Sequence, residues 1–207
     1  MNDAITHAAQ TLAAKAPHLA VGAGPLLEAW VALELGAQLN TGNQKVRVAT
    51  MEADGSIAYD ETYYVRITQR TSIKAPFTSW LEFAVGRRRY EIHNSVRLLG
   101  LSQATHEADV CLMSVQGLYP RGLPYAVIEC KNYKRGSMPC NAVRALVVVR
   151  ADVPSALSSQ WCVVSTTTRT LNAKRIGNRF GIRTFGNVVP ARGHANIALI
   201  VADLPKL

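Results

Sequence analysis

The strongest constraint on the fold is one apolar run that ends in charged residues. Residues 125–131, YAVIECK, are mostly apolar up to Ile128 and continue as Glu129, Cys130 and Lys131. A continuous apolar run of this kind fits a central strand that is buried on both faces. Because side chains alternate along a strand, Glu129 and Lys131 project to one face and Cys130 to the other. Two opposite charges therefore share one face at the end of this strand.

The segments around this strand predict a mixed α/β arrangement. Residues 24–39, GPLLEAWVALELGAQL, predict a mostly apolar helix that packs on a sheet, with Pro25 in its first turn. Two hairpins are expected next, at 45–73 and at 79–100, the second turning at Gly86 and residues 87–89. The later predictions are a strand at 106–115, a helix at 138–150, a strand at 160–168, a basic helix at 169–181 and a last strand at 182–189.

Length and composition fit one domain over residues 1–207. No uninterrupted apolar stretch approaches the roughly 20 residues of a membrane span, so no membrane association is expected. The first residues hold an early acid and lack a basic leader, which predicts a cytoplasmic protein. The four cysteines lack zinc-finger spacing and are expected to be buried free thiols.

The charge is unevenly distributed along the chain. The formal net charge is +9, and residues 104–207 hold 13 of the 23 Lys and Arg residues but only 5 of the 14 Asp and Glu residues. A basic half of this kind favours a polyanionic partner such as nucleic acid, although basic surfaces also occur without one.

Three acids and one lysine form the candidate site. Glu28 lies on the first predicted helix, Asp109 on the strand 106–115, and Glu129 and Lys131 on the next strand. The spacing between Asp109 and Glu129 leaves room for two neighbouring strands, so the two carboxylates can converge. Converging carboxylates bind a hard cation such as Mg²⁺, and a nearby ammonium can hold the attacking water.

With these residues identified, "HEADV" followed by "VIECKNY" resembles the PD-(D/E)XK, or restriction-endonuclease-like, nuclease superfamily. The resemblance implies an α/β fold with a restriction-endonuclease-like core of helix, three strands, helix and strand, in which helices flank a central mixed β-sheet. It covers residues 24 to about 187, with the hairpin at 45–73 as an insertion. One departure is Ala108, which stands where the superfamily motif has a proline.

The resemblance also implies the roles of the site residues. Asp109 and Glu129 would be metal ligands, with the carbonyl of Cys130 as a third, and Lys131 would be the catalytic lysine. Glu28 would support the metal through water. The implied cofactor is Mg²⁺ or Mn²⁺, and the implied activity is hydrolysis of DNA phosphodiester bonds, in restriction or another defence against foreign DNA.

Basic residues after the site are the predicted phosphate contacts, which position a nucleic-acid backbone without reading its sequence. No separate recognition domain has room, so any specificity must come from insertions or from a partner, either a second copy in a homodimer or a recruiting protein. The predicted nucleic-acid-binding residues are Lys134, Arg135, Arg144, Lys174, Arg175 and Arg179.

Simpler interpretations of the same residues stay open. Glu129 and Lys131 can form an ordinary ion pair at a strand end, and Asp109 can be a ladder-end residue. Glu28 is also favoured by the dipole of the first helical turn, and His106 is a candidate structural hydrogen-bonder. At the level of function, the alternatives are a nuclease-like binding or assembly module that does not cut, and an enzyme that cleaves RNA with the same site.

Overall fold

The computed structural model describes residues 24–41, 45–59, 63–64, 76–115, 123–155, 159–190 and 192–204. The helices in this part of the chain are α1 (Gly24–Thr41), α2 (Cys140–Asp152), α3 (Leu171–Phe180) and α4 (His194–Ala202). The strands are β1 (Arg47–Met51), β2 (Ile57–Ala58), β3 (Ser79–Val85), β4 (Arg88–Leu99), β5 (Thr105–Ser114), β6 (Pro124–Lys131), β7 (Gln160–Ser165) and β8 (Arg183–Phe185).

All of these strands belong to one mixed sheet, in the order β2-β1-β3-β4-β5-β6-β7-β8. The pairs from β2 to β6 are antiparallel, and the pairs β6–β7 and β7–β8 are parallel. The sheet changes from antiparallel to parallel pairing at β6, the strand that ends in Glu129 and Lys131. The predicted α/β class, with a mixed central sheet flanked by helices, is confirmed.

Hydrophobic cores lie on both faces of the sheet. The larger core joins α1 and α4 to one face, where Leu27, Trp30 and Val31 of α1 are fully buried. The second core joins α2 and α3 to the other face, around Val143 and Trp161. Because α1 is apolar on nearly all sides, it is stable only as a covered layer against the sheet. This burial fixes the position of the helix that carries Glu28.

The second predicted hairpin is correct in place, whereas the described residues cover only part of the first. In the first, β1 pairs with the short β2, formed by residues that were predicted as turn, and also pairs with β3 in the main sheet. Most of the predicted strand at 62–70 lies outside the described residues. In the second, the turn is only Gly86 and Arg87, because Arg88 and Arg89 already pair in β4. Gly86 has a φ of +59°, which a tight two-residue turn requires.

The C-terminal part follows the predicted order with two corrections. The helices at 138–150 and 169–181 are confirmed as α2 and α3, and α3 starts at the Thr170 cap and ends at the left-handed Gly181. The last two strands were predicted over 160–168 and 182–189, but β7 ends at Ser165 and β8 at Phe185. The helix α4 was not predicted, because its short run HANIALIVA has no clear helical periodicity.

The cysteines are free, as predicted. Three of them, Cys111, Cys130 and Cys162, are buried, while Cys140 is partly exposed. Among the described helices, none combines the length and the apolar character needed to cross a membrane.

A glycine in α3 tests how closely this helix packs on β8. A Cβ at Gly177 would collide with the carbonyl oxygen of Ile182 and would lie 2.9 Å from Cγ2 of Thr184. An Ala usually stabilises a helix relative to Gly by about 1 kcal/mol. We expect the opposite here: Gly177→Ala should lower the free energy of unfolding by about 1–3 kcal/mol in urea denaturation. Asn172→Ala, at an exposed position of the same helix, is the control and should not destabilise; equal stability of Gly177→Ala would contradict this packing.

Candidate functional site

The candidate site begins where β5 and β6 stop pairing. The last pair of the β5–β6 ladder on this side is Val110 with Ile128. Beyond it, Oδ2 of Asp109 accepts a buried hydrogen bond from the backbone N–H of Cys130, at 2.6 Å. The carboxylate thus satisfies a donor of β6 where the paired backbone ends. Asp109 is held next to the strand segment that carries Glu129.

The neighbouring strand β4 is irregular at the same level. Pairing of β4 with β5 skips Ser95 and Asp109, and Ser95 has a φ of +52°. Along β5, Ala108 packs in the core under α2 and α3, whereas Val110 packs in the core under α1. Residues two apart normally share a face, so the alternation is broken at Asp109. The left-handed backbone conformation is strained for a non-glycine residue, and residues strained in this way are concentrated at functional sites.

The helix α1 brings Glu28 to this irregular point. The hydroxyl of Ser95 donates to Oε2 of Glu28 at 2.7 Å. Burial raises the pKa of Glu28; the Ser95 hydrogen bond opposes this, and the negative charges of Glu107 and Glu129 add to it. Glu28 therefore belongs to the same electrostatic environment as Glu129.

Glu129 and Lys131 lie side by side on β6. The ammonium of Lys131 donates to Oε1 of Glu129, and both side chains are partly buried. Cys130 between them is buried in the core under α1, so the strand has the alternation expected from the sequence. Burial alone would lower the pKa of Lys131, but Glu129 and Asp109 outweigh it and the net pKa is raised. Lys131 is thus held as an ammonium.

Asp109 has the most perturbed carboxyl group of the site. Its pKa is raised to about 8, chiefly by burial and further by the negative charges of Glu129 and Glu28. The hydrogen bond from Cys130 and the charge of Lys131 act in the other direction but are weaker. A buried carboxyl group whose pKa is raised by neighbouring negative charges is typical of a functional site.

Each of the three carboxylates has its own protein partner, through one oxygen only. Glu28 is bonded to Ser95, Asp109 to Cys130 and Glu129 to Lys131. Within the described residues, the second oxygen of each accepts no hydrogen bond. In the same part of the chain, no group of three or more His, Cys, Asp or Glu side chains is arranged to hold a metal ion. The acids nevertheless share one electrostatic environment.

The cations predicted to contact phosphate are all exposed. Lys134 and Arg135 lie in the loop directly after β6, and Arg144 lies on α2. Lys174, Arg175 and Arg179 lie on α3. Within the described residues, none of these six side chains is paired with a carboxylate. They are therefore available to an external anion.

Two residues near the site were not singled out in the sequence. Ser95 orients Glu28, and its only signal was a polar Asn-Ser pair inside a strand-like run. Glu107 acts on Glu28 through its charge and stands two residues before Asp109. His106 bonds Asp152 through Nε2 at 2.6 Å, as a structural histidine does. It links β5 to the end of α2.

No protein-family model matches the chain, and no curated protein matches its sequence. The case for a function therefore depends on the residues of the site.

The raised pKa of Asp109 predicts a pH-dependent stability. The pKa of Asp109 in the folded protein lies above the ordinary value of about 4, so the folded state binds this proton more tightly than the unfolded state does. The resulting contribution to folding stability is complete below pH 4 and is lost as the pH rises towards 8. Asp109→Asn removes the ionisation and keeps an acceptor for Cys130. We expect this variant, in EDTA, to gain about 1–3 kcal/mol of unfolding free energy over the parent at pH 9 and much less at pH 5.

Asp54→Asn is the matched control, because Asp54 is exposed and its hydrogen bonds to Ser56 lower its pKa. It should show no gain at pH 9. Urea denaturation at a series of pH values measures both variants. A pH-independent difference between Asp109→Asn and the parent would contradict the assignment.

Proposed function

We propose that the chain is a divalent-metal-dependent endonuclease that hydrolyses DNA phosphodiester bonds. The observation that carries the proposal is the grouping of Asp109, Glu129 and Lys131 at the separating ends of β5 and β6, with Glu28 brought in by α1. A partly buried cluster of three acids and one ammonium has no structural need to exist at a strand end.

The order of elements supports a restriction-endonuclease-like core as part of the proposal. A helix (α1), three antiparallel strands (β4, β5 and β6), a helix (α2) and a parallel strand (β7) occur in this order along the chain, with β1 to β3 between α1 and β4. This is the order that the resemblance implies. The remaining strands β1 to β3 extend the sheet beyond β4.

The donor set fits a hard divalent cation. Oxygen ligands suit Mg²⁺ or Mn²⁺, and in the described residues each acid has one oxygen with no hydrogen bond. Asp109 and Glu129 would hold the ion, with the carbonyl of Cys130 as a third ligand and Glu28 acting through water. When bound, such a cation supplies Lewis-acid stabilisation of charge on phosphate oxygens.

The chain's own residues would do the rest. Lys131 Nζ, kept charged beside Glu129, would orient a water or a phosphate oxygen near the scissile bond. Glu28 is fixed by Ser95, so it would hold its water at one position. Burial of Asp109 limits the access of bulk water and strengthens each of these electrostatic interactions.

The exposed cations favour a nucleic acid as the substrate. Six of them, defined above, lie on the loop after β6, on α2 and on α3, without carboxylate partners in the described residues. Contacts of this kind supply affinity for phosphates and leave sequence unread. DNA is the proposed substrate; RNA with the same site is the other outcome of the cleavage test.

A second candidate function is a nucleic-acid-binding module that does not cut. It is favoured by the ion pair that engages Glu129 with Lys131 and by the lack of a convergent three-ligand group among the described side chains. In that case the acids would be remnants and the basic surface would carry the function.

The cleavage test separates these candidates. Purified protein is incubated with plasmid DNA, single-stranded DNA and RNA in Mg²⁺, Mn²⁺ or EDTA. We expect metal-dependent cleavage that Asp109→Ala or Glu129→Ala reduces at least about 100-fold, since a metal ligand is lost. Lys131→Ala should also impair cleavage while weakening binding only slightly.

Glu52→Ala is the control, an acid of the β1–β2 turn remote in sequence and structure from the site. It should cut like the parent. Parental cleavage rates in the Asp109 and Glu129 variants, in protein freed of contaminating nuclease, would refute the mechanism. Absence of cleavage by the parent with intact DNA binding would favour the second candidate.

Binding is predicted to depend on separate residues. We expect Arg175→Ala with Arg179→Ala to weaken DNA binding and to reduce the slope of log K against log salt by about 2, because two phosphate contacts are lost. Binding is measured in EDTA at several salt concentrations. Arg150 is the contrasting cation, because it bonds the carbonyls of Phe180 and Gly181; Arg150→Gln should leave the salt slope unchanged.

A further inference from the structure

A polar cavity of about 560 Å³ lies along β8, the edge strand of the sheet, and is separate from the acidic site. Its walls come from the loop after β7, from α3, from β8 and the loop after it, and from α4. None of the described residues that line it is acidic. Its polar groups include Arg169, Asn178, Arg183, Asn187 and Asn196.

One of the two arginines keeps its charge uncompensated. Arg183 is paired with Asp203 and also donates to the carbonyl of Leu199 at 3.1 Å. Arg169 uses Nη1 to donate to the backbone carbonyl and the hydroxyl of Thr184. Within the described residues, Arg169 has no carboxylate partner, and only one of its guanidinium nitrogens is engaged. The cavity therefore carries a net positive charge and a guanidinium suited to an anion such as phosphate.

The three asparagines favour a larger ligand than a simple anion. Each amide carries both a donor and an acceptor, and nucleobase edges present both as well. The amide of Asn196 donates to the carbonyl of Gly186 at 3.2 Å, which fixes its orientation and leaves its oxygen as an acceptor. The volume lies within the roughly 300–1,000 Å³ of small-molecule sites and accommodates one nucleotide.

The cavity is connected to the candidate site through two loops that run side by side. The backbone N–H of Thr166 donates to the carbonyl of Lys131 at 3.1 Å, and Met138 donates to Thr168 at 2.7 Å. Arg169 follows Thr168 directly. Gly186, after β8, packs so closely on this loop that a Cβ would lie 3.0 Å from the N atom of Arg169. Since neighbouring strands are roughly 5 Å apart, the end of β8 lies about 10 Å from the end of β6.

We infer that this cavity binds one nucleotide of a nucleic-acid strand, with its phosphate at Arg169 and its base against the amides of Asn178, Asn187 and Asn196. The inference rests on the proposed function for the identity of the strand as substrate. It adds a site that contacts a base, next to a surface whose other cations contact phosphates. The cavity would thus favour one base near the cleavage position.

The test uses the full chain in EDTA, so that the acidic site makes no contribution. The four deoxynucleoside 5′-monophosphates, the matching deoxynucleosides and inorganic phosphate are titrated separately, and binding is followed by calorimetry and by NMR. We expect at least one monophosphate to bind at least about tenfold more tightly than phosphate or its nucleoside, because both ends of the ligand are recognised.

Variants then locate the binding. Asn178→Asp introduces a negative charge, of the same sign as the ligand's phosphate, into the cavity from an exposed position of α3. It should weaken monophosphate binding at least about tenfold. Asn172→Asp makes the same change on the same helix outside the cavity and should remain within about twofold of the parent. Arg169→Gln should lose the preference for the monophosphate over the nucleoside; circular dichroism verifies that each variant is folded.

Several results would overturn the inference. The first is the absence of monophosphate binding at millimolar concentration. The second is equally tight binding of phosphate and the monophosphates, and the third is unchanged monophosphate binding in folded Asn178→Asp. Cleavage activity is measured in parallel on the parent. If monophosphates bind in the cavity but no nucleic acid is cut, the cavity stands and the proposed nuclease function fails; if cleavage occurs without monophosphate binding, only the cavity assignment fails.

Discussion

The hydrogen bond from the backbone of Cys130 to the carboxylate of Asp109 is the interaction on which the site depends. It lies where β6 leaves its antiparallel partner β5 while remaining paired with the parallel β7 up to Lys131. Without this carboxylate, the backbone N–H of Cys130 would be buried without a hydrogen-bond acceptor. The same bond fixes Asp109 beside Glu129, so the transition from antiparallel to parallel pairing also positions the acids.

This arrangement costs stability. Asp109 is buried among like charges, and its pKa rises to about 8 as a result. Ser95 opposite it holds a left-handed conformation that a non-glycine residue rarely adopts. Both features are local departures from good sheet geometry, whereas the surrounding strands are regular and their cores are well buried. The rigid sheet and the buried α1 keep the strained point in place.

The charged residues of the second half form two kinds of surface. On α2, α3 and the loop after β6, cations are exposed and lack carboxylate partners in the described residues. Along β8, Arg169 and Arg183 are held by hydrogen bonds to backbone carbonyls. Exposed cations without restraining partners suit phosphates in many positions, while fixed guanidinium and amide groups suit a ligand of defined shape. The division follows from which cations have neighbours that restrain them.

Local patterns determined most of the elements and the face relation of Glu129 and Lys131, since these depend only on periodicity within a few residues. The helices α1, α2 and α3 and the order of the strands from β3 to β7 could all be predicted in this way. The end of β8 and the existence of α4 could not be predicted, because short apolar segments take their form from what they pack against. The extra pairing of β1 with β3 was missed for the same reason.

Only the tertiary structure decided how the candidate site is built. The sequence supplied Glu28, Asp109, Glu129 and Lys131 as separate residues, and the break in pairing opposite Ser95 brings them into one environment. The tertiary structure also decided that each acid bonds its own partner, and that Arg169 lines a cavity with residues from α3 and α4. These relations join residues far apart in the chain, and they follow from backbone irregularity and packing, which no local pattern encodes.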